Sequence, residues 1–253
     1  MFIENKYVKF KGLNLTVETL DGLLKHNGPY YDDTDVKNLI GLKNLKNKID
    51  LNSYPSIEAQ IASISDDIAY NNHDIQDGFN ANIFRINELK EINFFNEILK
   101  RYSSKFKKIN NRILIYQMVR DSINLMVKDL LKNSLINFKL NKINKLNDVY
   151  KSGNKLVCFS SNYENIINEI RDFLSIKMYK NNKVLKKNNE GRRIIEKLFK
   201  EISSKPRKFL TFTPIKHNKY RSIADYISGM TDRFAINIYK SIKWIYLKNT
   251  KIN

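Results

Sequence analysis

SIEAQIASISDDIAYNNHDIQDGF, residues 56–79, is the stretch of this 253-residue chain that decides the fold. Its isoleucines recur with the period of an α-helix, and its alanines keep the other sides of that helix thin. These apolar positions are Ile57, Ile61, Ile64, Ile68 and Ile75, with Ala59, Ala62 and Ala69. Pro55 precedes the run, where a helix start tolerates proline. The pattern predicts a central helix that is apolar on several sides.

Further helices are predicted on both sides of this central one. A helix over 13–26 is expected to begin at the N-cap Thr16 and to end at Asn27-Gly28-Pro29. The other predicted helices cover residues 86–102, 109–137, 163–178, 190–202 and 220–247. Eight glycines and four prolines are too few for a turn-rich sandwich or barrel. The sequence therefore predicts an all-α fold.

Three segments lack a clear helical period. Residues 30–52 are expected to form an exposed loop or a frayed helix, and residues 138–154 a linker or surface excursion. KLVCFS, residues 155–160, fits either one short strand or an extended arm. We expect little of the core to come from residues 30–52.

The chain is strongly basic, with 45 Lys and Arg residues, 26 Asp and Glu residues and a net charge of +19. The excess is mostly Lys and accompanies abundant Asn and Ile, so A+T-rich codons and attraction to polyanions such as nucleic acid both explain it. The single cysteine, Cys158, excludes an internal disulfide. Because no secretory signal and no apolar run of about 18 residues is present, we expect a cytoplasmic protein without a membrane partner.

The central helix also carries the chain's richest chemistry. Asp66, Tyr70 and Asp74 are spaced four residues apart, which places two carboxylates and a phenol on one helix face. Carboxylate oxygens bind hard cations or sugar hydroxyls, and the ring offers a stacking surface. The alternative is a solvated acidic stripe that pairs with Lys and Arg elsewhere. Burial of this Ile-rich helix would disfavour that alternative, because a buried acid is costly unless it is paired or metal-bound.

Other candidate residues carry weaker signals. His26 ends the first helix, where it would bind a ligand or a phosphate, or serve the helix dipole and packing. Arg221 and Asp225 are four apart and predict a routine intrahelical pair. The basic stretches 177–193 and 205–219 would contact phosphates or form solvated loops.

Three motifs together resemble bacterial deoxyguanosinetriphosphate triphosphohydrolase-like proteins of the HD-domain superfamily. They are GLNLTVETLDGLLKHNGP (12–29), SIEAQIASISDDIAYNNHDIQDG (56–78) and RSIADYISGMTDRFA (221–235). The resemblance, over about residues 7–240, implies an all-α phosphohydrolase that cleaves a dNTP, dGTP above all, to deoxynucleoside and tripolyphosphate. It also implies a divalent metal of the Mg²⁺ or Mn²⁺ class, held by two histidines and two aspartates.

The resemblance assigns expected roles to individual residues and segments. Asp66 matches the last metal-ligand aspartate, Tyr70 the tyrosine that packs on the nucleotide, and Asp74 the aspartate near the sugar 3′-hydroxyl. The motif residues with an expected role in phosphate contact or structural support are Lys25, His26, Arg221 and Asp225. Residues 1–137 are expected to be a remnant of the catalytic domain, and 138–253 a phosphohydrolase-associated helical region.

The family's other metal ligands are expected ahead of the first motif, where this chain has only a few residues. None of its histidines, His26, His73 and His217, forms a His-Asp pair upstream of that motif. We therefore expect a truncated or split form, inactive alone because one carboxylate cannot hold a catalytic metal. A homo-oligomer is a further expectation. The alternative function is a non-catalytic basic module that binds nucleotide or nucleic acid, or regulates a full-length paralogue.

Overall fold

The structure, a computed structural model, describes residue 13 and residues 15–30, 49–105, 110–210 and 219–249, with side chains described up to residue 242. All regular secondary structure in these ranges is helical, which confirms the predicted all-α fold. Contacts divide the chain between residues 179 and 180 into two compact units. The domain division expected at residues 137 and 138 stays a prediction.

The first unit contains seven α-helices among the described residues, followed by one π-helical turn. The α-helices are α1 (Val17–Leu24), α2 (Ile57–Asn80), α3 (Ile86–Leu89), α4 (Asn93–Lys105), α5 (Asn111–Leu140), α6 (Leu146–Lys151) and α7 (Ser161–Leu174). The π-helical turn is Ser175–Tyr179. The predicted helix over 86–102 is thus two helices, and the segment expected as a linker over 138–154 contains α6.

Capping side chains define where α1 and α2 begin. The Thr19 backbone N–H donates to Thr16 Oγ1 at 3.2 Å, which confirms Thr16 as the N-cap of α1. The Ala59 N–H donates to Ser56 Oγ at 3.4 Å at the start of α2. Each bond satisfies one of the backbone donors that a helix start leaves unpaired. Gly28, with a φ of 104°, adopts the left-handed conformation after α1 that glycine favours.

The core of the first unit lies where α2 packs against α5. Ile64, Ile68 and Ile75 of α2 are buried, whereas Ile61 is 46% exposed. The helix therefore buries one side rather than several, which corrects the expectation drawn from its isoleucines. From α5 the buried apolar side chains are Leu114, Ile115, Met118, Val119, Met126 and Leu130. Helices α4 and α7 complete this core.

Residues 152–160 form an extended arm, and the strand alternative for KLVCFS is wrong. Side chains of the helices bond to the backbone here in place of a neighbouring strand. Gln60 Oε1 accepts hydrogen bonds from the N–H groups of Leu156 and Val157 at 2.9 and 3.1 Å. Asn133 Nδ2 donates to the carbonyl of Phe159 at 2.9 Å. These bonds satisfy buried peptide groups that no strand reaches.

The second unit is described in four helices. They are α8 (Asn182–Ser204), α9 (Pro206–Phe209), α10 (Lys219–Ser228) and α11 (Asp232–Asn249). Its buried apolar side chains are Leu198, Ile202, Leu210, Ile223, Ile227, Ala235 and Ile242. The single helix predicted over 220–247 is interrupted at 229–231. Helix α8, which Asn181 caps, begins eight residues before the helix predicted over 190–202.

Two sequence predictions fall on parts of the chain that the structure does not describe. Most of the segment 30–52, namely 31–48, lies outside the described residues, and so does 211–218 with His217. Among the helices in the described ranges, none combines the length and the apolar character that crossing a membrane requires.

Candidate functional site

Asp66, Tyr70 and Asp74 project along one face of α2, and their exposure changes along it. Asp66 is exposed, the Tyr70 side chain is 58% exposed, and Asp74 is half-buried. The expectation that Asp66 is an acid on a buried helix is therefore wrong, because α2 turns this side away from the core. Water hydrogen-bonds an exposed carboxylate, so Asp66 has no desolvation cost for a partner to offset. Asp74, in contrast, requires a partner.

Asp74 finds that partner in Tyr179, the last residue of the π-helical turn. The Tyr179 hydroxyl donates to Asp74 Oδ2 at 2.5 Å, across 105 residues of sequence. Burial raises the pKa of Tyr179 well above its ordinary value, and hydrogen bonds with Asp74 and Tyr70 raise it further. Tyr179 therefore stays protonated and donates at any physiological pH. Two phenols and one carboxylate meet at this point of the α2 face, which we call the α2 cluster: Tyr70, Asp74 and Tyr179.

Sequence reasoning missed Tyr179. The residue directly follows the predicted helix 163–178, and nothing in its local sequence distinguishes it from the chain's other 13 tyrosines. Only Asp74 indicates it indirectly: if this carboxylate on the central helix is partly buried, it needs a hydrogen-bond donor from elsewhere in the chain.

The neighbouring acid Asp67 belongs to a surface ion pair. Arg171 Nη2 of α7 lies 3.1 Å from Asp67 Oδ2, and both side chains are about half exposed. Asp67 is thus a half-exposed acid paired with a cation, whereas Asp74 is paired with a phenol. His73 is exposed on the same helix.

The described residues do not by themselves fit a catalytic metal. Within the described ranges, no three His, Cys, Asp or Glu side chains come close enough together to hold a metal ion. Asp66 would supply one carboxylate, and a catalytic divalent metal needs several fixed protein ligands. The metal role of Asp66 and the nucleotide roles of Tyr70 and Asp74 stay predictions.

Lys25, predicted as a phosphate contact or a structural residue, is buried in an ion pair. Its side chain is 1% exposed, and Nζ lies 2.6 Å from Asp21 Oδ1. Nζ also donates to Ser53 Oγ at 3.1 Å and lies 5.8 Å from the centre of the Tyr150 ring. Burial raises the pKa of the Asp21 carboxyl, while the Lys25 ammonium acts in the opposite direction. These contacts support the structural role.

His26 is exposed and borders two depressions beside α1. The larger is a groove of about 810 Å³ with an apolar floor that includes Leu23, Ala62 and Leu146. The smaller is a polar cleft of about 350 Å³ that Lys155 also lines. The His26 carbonyl accepts a hydrogen bond from Ser63 Oγ at 2.7 Å, which fixes the backbone rather than the ring.

Arg221 and Asp225 form the intrahelical pair that their spacing predicts. Arg221 Nε lies 3.0 Å from Asp225 Oδ1 on α10, which confirms the pairing. Within the basic stretches, Lys177 pairs with Glu88 of α3 at 2.8 Å, and this contact lowers the pKa of Glu88. Part of that positive charge is therefore neutralised within the first unit.

Comparison with known proteins identifies relatives along nearly the whole chain. Residues 157–241 match the family model described as the phosphohydrolase-associated domain. Over 242 residues the chain is 59% identical to a deoxyguanosinetriphosphate triphosphohydrolase-like protein of Pelagibacter ubique, covering 96% of this chain and 65% of that relative. Proteins of the same name from Rickettsia typhi and Rickettsia canadensis are 37% and 36% identical over 246 residues. These alignments cover 95% of this chain and 64% and 65% of the relatives, so the chain spans just under two thirds of their length.

Proposed function

We propose that the chain belongs to the deoxyguanosinetriphosphate triphosphohydrolase-like family and that it carries the nucleotide-binding face of a dNTP triphosphohydrolase. The reaction is hydrolysis of a dNTP, dGTP above all, to a deoxynucleoside and tripolyphosphate. The observation that carries the proposal is the α2 cluster. Its phenols and carboxylate lie one to two helical turns beyond Asp66, the expected metal ligand.

Each residue of this face has chemistry suited to part of a deoxynucleotide. The exposed Tyr70 ring offers an apolar surface for the sugar or the base. The Asp74 carboxylate accepts a hydrogen bond from the 3′-hydroxyl. Asp66, exposed at the phosphate end of the face, is available to a divalent cation once further ligands join it.

We propose further that this chain does not turn over dNTP by itself, because the catalytic metal needs ligands from outside the described residues. The support is the donor set: Asp66 is the only predicted metal ligand in the described ranges, and no metal-capable cluster surrounds it there. The oligomeric state and the cytoplasmic location stay predictions.

Complementation tests both parts of the proposal. The purified chain is incubated with dGTP and Mg²⁺ or Mn²⁺, with and without the part of the Pelagibacter ubique relative that the alignment leaves uncovered. We expect tripolyphosphate only when both are present, and none with Asp66→Asn. Asp77→Asn, another exposed aspartate of α2, is the matched control and should remain active. Turnover by the chain alone would refute its inactivity, and an active Asp66→Asn complex would refute the metal role.

A second candidate function is a non-catalytic module that binds nucleic acid. The net charge of +19 favours it, because cations that contact phosphates release counterions on binding. Retention on single-stranded DNA that falls steeply with added salt, without hydrolysis, would support this function. Absence of binding at low salt would contradict it. Regulation of a full-length paralogue belongs to the same class and predicts co-purification with that paralogue.

A further inference from the structure

Tyr179 stands at an unusual point of the backbone. Helix α7 ends at Leu174, and the next five residues, Ser175–Tyr179, continue as a π-helical turn. π-Helical turns are rare and occur preferentially at functional sites, because the extra residue redirects the side chains that follow. Met178 and Tyr179 pack on the core of the first unit, which fixes where the hydroxyl points.

The Tyr179 hydroxyl fixes one half of the Asp74 carboxylate. It donates to Oδ2 at 2.5 Å, while Oδ1 has no hydrogen-bond partner among the described residues. A carboxylate held at one oxygen no longer rotates freely, so the other oxygen is presented in a single direction. A preorganised acceptor binds a ligand hydroxyl more tightly than a mobile one, because its conformational entropy is already lost.

Tyr179 also lies in a different part of the family pattern from Asp74. It falls within residues 157–241, which match the phosphohydrolase-associated domain, whereas Asp74 lies outside that match. The bond therefore connects the associated segment to the face on which the proposed function depends.

We propose that Tyr179 is a positioning residue, whose hydroxyl orients Asp74 so that its Oδ1 accepts the 3′-hydroxyl of a deoxynucleoside lying against Tyr70. This inference rests on the proposed nucleotide function and gives a role in it to the phosphohydrolase-associated segment, residues 157–241. Through Tyr179, this segment favours ligands with a 3′-hydroxyl without contacting the sugar itself.

A matched pair elsewhere in the first unit supplies the control. The Tyr102 hydroxyl donates to Asp121 Oδ2 at 2.7 Å, and this bond raises the pKa of Tyr102 as its Asp74 bond does for Tyr179. Tyr102 and Asp121 lie on α4 and α5, away from the three residues of the α2 cluster in sequence. Tyr102→Phe therefore removes an equivalent bond with no expected effect on the sugar.

The test measures binding of deoxyguanosine and of 2′,3′-dideoxyguanosine to the full chain by titration in NMR spectroscopy. We expect the wild type to prefer deoxyguanosine by about tenfold, since a hydrogen bond to a charged group contributes at least that much. Tyr179→Phe should reduce the preference to about twofold or less and leave the dideoxyguanosine affinity unchanged. Tyr102→Phe should keep the wild-type preference.

The outcomes separate this inference from the proposed function. If the wild type binds neither nucleoside, or binds both equally, the proposed sugar site fails and the inference fails with it. If the wild type discriminates and a folded Tyr179→Phe discriminates equally, the positioning role alone is overturned.

A double-mutant cycle covers the case in which Tyr179→Phe does not fold. Tyr179→Met, which has no hydrogen-bond donor, and Asp74→Ala are then combined, and their effects on the 3′-hydroxyl preference are compared. Non-additive effects support positioning through Asp74, because removal of the carboxylate leaves Tyr179 nothing to orient. Additive effects overturn it.

Discussion

Two ion pairs with the same sequence spacing differ in how far their side chains are exposed to solvent. Asp21 and Lys25 are four residues apart in the first family motif, and Arg221 and Asp225 are four apart in the third. Asp21 and Lys25 are 4% and 1% exposed, whereas Asp225 and Arg221 are 20% and 54% exposed. Identical spacing therefore predicts that both pairs form, but it does not predict how much each contributes to the free energy of unfolding. That contribution depends on how far burial removes water from the two charges.

The surroundings of the two pairs extend this contrast. Lys25 also donates to Ser53 and lies near the Tyr150 ring, so the first pair connects α1 to the segment before α2 and to α6. Arg221 and Asp225 both belong to α10, and their bond spans a single helical turn. Removal of one charge should thus affect the fold in the first case and hardly in the second.

The largest effect is expected from Lys25→Met. The substitution leaves the Asp21 carboxylate buried without its counter-charge, and we expect a loss of about 3–5 kcal/mol in the free energy of unfolding. Urea denaturation followed by circular dichroism measures it as a lower midpoint. Lys100→Met is the control, because Lys100 is 63% exposed in its pair with Glu97. Equal losses in the two variants would contradict the contrast between buried and exposed pairs.

Removal of both buried charges should lower the free energy of unfolding far less than removal of one. In Asp21→Leu/Lys25→Met, no unpaired charge remains, and apolar groups that replace a buried pair are often neutral. We expect the double variant to recover most of the stability that Lys25→Met loses. The double-mutant cycle is completed with Asp21→Leu alone. Additive losses would show that the two side chains act separately.

The buried pair also predicts a pH dependence of stability. Burial raises the pKa of Asp21 above its ordinary value of 3.8, so the folded state binds the proton more tightly than the unfolded state. In the window between that ordinary value and the raised one, the contribution of Asp21 to stability therefore falls as pH increases.

The measurement compares the wild type with Asp21→Asn in urea at several pH values from about 4 to 7. The wild type should lose stability relative to the variant as pH rises through this range. The opposite slope would show that the Lys25 ammonium outweighs burial and lowers the pKa.

Local patterns predicted the elements of this fold better than the contacts between them. The repeat of apolar residues located α2 and α5, and the cap at Thr16 followed from residue type alone. The break after Ser228, in contrast, interrupts a pattern that continues to Ile238. Helical periodicity can be read from neighbouring residues in the sequence, whereas the tertiary packing that interrupts a helix depends on distant residues.

The candidate site divides in the same way. The spacing of Asp66, Tyr70 and Asp74 placed them on one face, whereas their exposure and the bond to Tyr179 depend on what packs beside α2. The bonds of Gln60 to the extended arm span 96 and 97 residues and had no local signature either. Such long-range bonds pair common residue types, so one sequence does not distinguish them.

The smallest effect is expected at the pair of Arg221 and Asp225, which is more exposed than the pair of Lys25 and Asp21. Asp225→Asn should reduce the free energy of unfolding by less than about 1 kcal/mol, because solvent already screens the charges and Asn retains the side-chain shape. The difference from wild type should shrink further in high salt, which screens exposed charges more than buried ones. Urea midpoints at low and high salt measure both. A loss in the free energy of unfolding that is as large as for Lys25→Met and does not change with salt would contradict this contrast. The four-residue spacing would then predict the stability contribution of both pairs.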